Sequence, residues 1–96
     1  MADSRIFMKD GFELTTLDGV IVAIERDGRK LQVNDRVMAL ENDLLVGKGT
    51  PGVITVIHEP GEEFLTSDLI EVVFEGEVGS YFMKLKELEH VTPRVV

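Results

Sequence analysis

Hydrophobic and polar positions alternate along most of this chain with a period of two. Lys30-Leu31-Gln32-Val33-Asn34 is the plainest case. Side chains two apart fall on one face of a strand, so such a stretch reads as a half-buried β-strand. The run GVIVAIE at 19–25 precedes it, separated by Arg26-Asp27-Gly28-Arg29. Asp-Gly supplies two residues that tolerate positive φ, as a tight hairpin turn requires. The spacing predicts a hairpin of 20–25 and 29–33, with Val20, Val22 and Ile24 sharing a face with Leu31 and Val33. Phe12-Glu13-Leu14-Thr15-Thr16 alternates as well, between turns at 9–11 and 17–19.

Further strands are predicted at 35–40, 53–58, 68–75 and 78–83, the third with Ile70, Val72 and Phe74 on one face. Phe12 and Phe74 fit core positions. Pro60 and Gly61 interrupt the ladder within an acidic turn. Residues 84–89 fit one helical turn, and 90–91 a short closing strand. Seven or eight short strands, with no segment long enough for a three-turn helix, predict an all-β barrel or compact sandwich. The barrel is preferred because closure removes exposed strand edges. GVIVAI at 19–24 is echoed by GVITVI at 52–57. Independent use of a glycine-led strand accounts for two copies more simply than duplication.

Composition narrows the classes. A chain of 96 residues makes one domain over 1–96. The absence of cysteine excludes disulfides, thiolate metal sites and a cysteine nucleophile, and fits a reducing cytoplasm. The start, MADSRIFMKDG, has no apolar h-region, so no signal peptide is expected. No apolar run approaches the roughly 20 residues of a membrane-spanning helix. The net charge of −8, from 18 acids against 10 bases, repels a phosphate backbone and favours solubility and basic partners.

The span 35–91 resembles the SH3-like small barrels, especially those with a KOW-like element. Asp35-Arg36-Val37 is similar to the G-D-x-V opening strand. Gly47-Lys48-Gly49-Thr50-Pro51-Gly52-Val53-Ile54 is similar to the G-x-x-G-x-V passage into the next strand. Ile70-Glu71-Val72-Val73-Phe74 is similar to the strand that often reads V-x-V-x-F, and 85–91 to a terminal E-L-E-x-V that closes the barrel through a short helical turn. The resemblance implies an SH3-like barrel at 35–91, with residues 1–33 as an added amino-terminal β-hairpin segment. Its members include RNA-binding ribosomal and transcription modules, Tudor-type peptide readers, the variable chain of ferredoxin–thioredoxin reductase and the nitrogenase accessory protein NifZ. Fold therefore leaves function open.

Each candidate chemistry can be weighed on the residues. The segment GKGTPG at 47–52 satisfies G-x-G-x-x-G, but Val-Ile-Thr-Val-Ile follows it, and a dinucleotide loop needs a helix there. Gly-Lys is followed by Gly49, so the Walker pattern fails too. A turn is expected, with Pro51 fixing φ and Gly52 accepting a positive one. His58 and His90 lie on separate segments without zinc spacing, so no metal site is expected. Ser4, Ser67 and Ser80 lack a nucleophile elbow. The many carboxylates read as solvated, and no catalytic residue or cofactor is expected. Lys48, Lys84, Lys86 and Arg36 are the basic positions close enough in the barrel span to touch RNA phosphates if they converge, a weak field among so many acids.

Binding remains. Tyr81 and Phe82 are adjacent on one strand and must face opposite sides, one buried and one partly exposed. Phe64 and Leu65 form an apolar pair in a loop just after the acidic turn, where SH3-like barrels carry ligand-binding aromatics. The expected function is a non-enzymatic protein-interaction module: Phe64, Leu65 and Tyr81 make apolar contact, and Glu62, Glu63, Glu75 and Glu77 steer a basic partner protein. Two alternatives come from the resemblance, an accessory subunit of a redox or nitrogenase-type metalloenzyme system and a KOW-type RNA-binding domain. The amino-terminal hairpins also offer a surface for pairing with a second copy.

Overall fold

Three Asp-Gly pairs shape the first third of the molecule. In the computed structural model, which describes residues 3–42, 46–61 and 68–91, Asp10-Gly11, Asp18-Gly19 and Asp27-Gly28 all sit at positive φ. A type I′ turn needs this at both central residues, and its twist matches that of the flanking strands. The turns join β1 (Ser4–Lys9), β2 (Phe12–Leu17), β3 (Val20–Arg26) and β4 (Arg29–Gln32) into an antiparallel sheet of order β1-β2-β3-β4. The amino-terminal segment, expected as hairpins, is thus a four-stranded meander.

Its inner face carries a cross-strand row, Phe7 opposite Leu14, Leu14 opposite Ile24, and Ile24 opposite Leu31. Leu14, Ile24 and Leu31 are buried, each contributing about 2 kcal/mol from lost apolar surface. A bulge between Thr15 and Thr16 leaves Val22 without a register partner in β2 and turns Val20 outward, 64% exposed. Val20, Val22 and Ile24 therefore do not share the face that plain alternation predicts.

The second sheet comprises β5 (Arg36–Ala39), β6 (Pro51–Ile57), β7 (Ile70–Phe74), β8 (Tyr81–Met83) and β9 (Leu88–His90), with a 3-10 turn at Leu85–Glu87. Its order is β8-β7-β6-β5-β9, all antiparallel, and it curls into a half-barrel. Ile70, Val72 and Phe74 all point inward and are buried, as their alternation predicts. The strand expected over 78–83 is shorter: Gly79 takes φ 83° and Val78 is 95% exposed, so pairing begins only at Tyr81.

The sheets meet at Asn34, whose φ of 77° swings the chain from one to the other. The Asn34 N–H donates to the Ile54 carbonyl at 2.8 Å, and the Ile54 N–H donates to the Asp35 carbonyl at 3.1 Å. Arg29 Nη1 donates to the carbonyls of Lys86 and Leu88, each at 3.3 Å. Lys9 pairs with Glu59 at 3.2 Å. One apolar cluster runs through both sheets, from Phe12, Leu14, Ile24 and Leu31 to Val37, Ile54, Val72 and Phe74. Among the described residues the architecture is all-β, with no buried charged or polar residue and no helix long and apolar enough to cross a membrane.

Candidate functional site

In the glycine-rich segment three consecutive amides of the turn are already occupied. Lys48 N–H donates to Asn42 Oδ1 at 2.8 Å. Gly49 N–H donates to the Ala39 carbonyl at 2.7 Å, and Thr50 N–H to the Gly47 carbonyl at 3.1 Å. A phosphate loop needs such amides free. The positive φ falls at Gly49 (85°), not at Gly52. Pro51 and Gly52 already belong to β6, which corrects the turn expected there. Gly52 serves packing instead: a Cβ on it would lie 2.7 Å from Val72 Cγ1 and 2.9 Å from both Phe74 Cδ1 and the Val73 carbonyl oxygen. Only a hydrogen fits between β6 and β7 at this point.

The anticipated docking residues are distributed as follows. Glu62, Glu63, Phe64 and Leu65 lie outside the described residues. Glu75 and Glu77 are exposed, just beyond the end of β7. Tyr81 faces inward and is half-buried, with its ring 6.1 Å from that of Phe74. Its hydroxyl reaches the surface and donates to Glu77 Oε2 at 3.2 Å. Desolvation raises its pKa, and the hydrogen bond and charge of Glu77 push it the same way. Phe82 takes the outward place, 49% exposed. Parity requires the two aromatics to oppose one another; the core below β8 decides which goes in.

Phe82 does not stand alone. Val53 pairs with Val73 across β6 and β7, and Val56, Glu71 and Phe82 form a row across β6, β7 and β8. All five side chains therefore share the outer face of the half-barrel. Val53, Val56 and Val73 are each close to 40% exposed. A shallow groove of about 360 Å³ runs along Val53 and Val73, with Arg36 and Glu75 at its sides. Sequence reasoning passed over these valines because a β-branched residue in a strand ordinarily reads as core. The alternation within β7 held the signal: Glu71 and Val73 have the same parity.

At one end of this face His58 Nε2 is hydrogen-bonded to Glu71 Oε2, and the His58 ring lies 5.6 Å from that of Phe82. His90 pairs separately with Asp35 at 3.7 Å. Among the described residues no three His, Asp or Glu side chains are grouped so as to hold a metal ion.

The cations regroup. Lys84 and Lys86 line one cleft of about 590 Å³ together with Arg26 and Arg29 from the other sheet. Arg36 borders the Val53–Val73 groove, and Lys48 lies in the glycine turn; neither lines that cleft. The grouping of Lys48, Lys84, Lys86 and Arg36 taken from the sequence is thus replaced by one that spans both sheets. No protein-family model matches the chain, and no curated protein or solved structure matches it either.

Proposed function

We propose that this protein is a non-enzymatic interaction module that docks a partner protein on the outer face of β6, β7 and β8. The observation that carries the reading is the exposed apolar group Val53, Val56, Val73 and Phe82 on three adjacent strands. Paired strands hold these residues rigid, so little conformational entropy is lost on binding. Phe82 is the aromatic anchor and the valines supply its surroundings. Glu71 lies within the face, between Val56 and Phe82, while Glu75 and Glu77 lie just beyond the end of β7; together they select a partner that sets basic residues beside its apolar contacts. An SH3-like barrel at 35–91 is part of the proposal. It is supported by β9 pairing back onto β5 after a 3-10 turn, in the place where the E-L-E-x-V resemblance implies barrel closure.

The test is a pull-down from native lysate with the wild-type chain and a Val73→Ser/Phe82→Ser variant, at low and high salt. Both changes lie on the exposed face, so circular dichroism should show a folded variant. The wild type is expected to retain a partner that the variant loses, and retention should weaken as salt screens the bordering carboxylates. Identical retention by the two chains would reject this face as the docking surface.

A further inference from the structure

The cleft between the sheets collects positive charge in a strongly negative protein. Four of the chain's ten Lys and Arg residues line it, Arg26, Arg29, Lys84 and Lys86, against one acid, Asp27. Arg26 and Arg29 face each other directly across the β3–β4 pair, and like charges in that position repel. Packing explains part of this. Arg26 lies over the Phe12 ring at 4.8 Å, and Arg29 holds the Lys86 and Leu88 carbonyls. Partial neutralisation comes from Asp27, 3.9 Å from Arg26 Nε, and from Asp68, 4.0 Å from Lys84 Nζ. Neither contact has hydrogen-bond geometry. Among the described residues the Lys86 ammonium makes no hydrogen bond or ion pair.

From this convergence we propose a binding site for a small multivalent oxyanion, a phosphate ester of nucleotide size. Guanidinium groups match phosphate oxygens in pairs, and lysines add mobile point charges. A volume of about 590 Å³ falls in the range that holds a small ligand. Molecular charge decides against a polymer. A net charge of −8 repels a long polyanion along its whole length, whereas a ligand confined to the cleft feels mainly the charges within a Debye length, roughly 10 Å at 0.1 M salt. The site uses none of the residues of the proposed docking face and stands whether or not that reading holds.

The experiment is a titration of the full chain with inorganic tripolyphosphate at low ionic strength, followed by calorimetry and by amide chemical shifts. One saturable site is expected, with shifts centred on residues 26–29 and 84–87. The Lys84→Gln/Lys86→Gln variant should bind about tenfold or more weakly, since two charge-assisted contacts are lost, and Lys48→Gln should bind as the wild type does. Absence of saturation, shifts centred elsewhere on the wild-type chain, or equal weakening by Lys48→Gln would overturn the site. A ten-nucleotide single-stranded DNA that binds more tightly than tripolyphosphate would overturn its assignment to a small ligand.

Discussion

β3 and β6 are built on nearly the same six residues, GVIVAI at 19–24 and GVITVI at 52–57, and they carry the same irregularity. In each the fourth residue of the motif, Val22 or Thr55, is skipped in the register by a bulge, Val22 against β2 and Thr55 against β7. In each the bulge brings two isoleucines three apart onto the inner face, Ile21 with Ile24 and Ile54 with Ile57. An extra residue in one strand of a pair shifts parity by one, which is why a spacing of three does what a spacing of two does elsewhere. The leading glycines differ completely. Gly19 is the second residue of a type I′ turn, φ 82°, with nothing within 4 Å of where a Cβ would stand. Gly52 lies inside a strand, pressed against Val72 and Phe74. The shared motif encodes a bulged strand; what its glycine does depends on the strand next door.

The largest effects should test the shared half of the comparison. Ile24→Ala and Ile57→Ala each remove a buried side chain at the matching position and should each cost about 3–4 kcal/mol in urea unfolding. Losses differing by more than about 2 kcal/mol, beyond the usual scatter of such truncations, would show that the two positions are not equivalent. The next contrast should separate the glycines. Gly52→Ala forces a methyl into backbone and side-chain atoms and should cost about 3 kcal/mol, whereas Gly19→Ala costs only its left-handed backbone conformation, about 1 kcal/mol. Equal costs, read as shifts in the unfolding midpoint, would remove the distinction. The smallest effect lies on the outer faces. Val20→Ser and Val53→Ser should each change stability by less than about 0.5–1 kcal/mol, but only Val53→Ser should weaken partner retention in the pull-down.

Local chemistry made much of this fold legible. Asp-Gly names its own turn type, and the inward set Ile70, Val72 and Phe74 follows from parity alone. What escaped depends on neighbours distant in sequence. β1 is masked because Ile6, Phe7 and Met8 are all apolar, so a strand with one residue inward and two outward shows no alternation. The bulges are properties of a pair of strands, and no single strand announces them. The close approach at Gly52 is set by β7. The cationic cleft needs Arg29 to reach carbonyls 57 and 59 residues away. On the surface, parity told that Tyr81 and Phe82 oppose each other, but only the packing of Tyr81 on Phe74 assigns their sides.

The three Asp-Gly turns have a final consequence, for how the chain's entropy is spent. Every pairing in the first sheet joins strands adjacent in sequence through a two-residue connection, close to the smallest loop a chain can close. The second sheet must bring His90 back to Val37 across most of its own length. The meander therefore rests on local order, while the half-barrel holds its closing strand by a pairing with β5 that closes a long loop of chain.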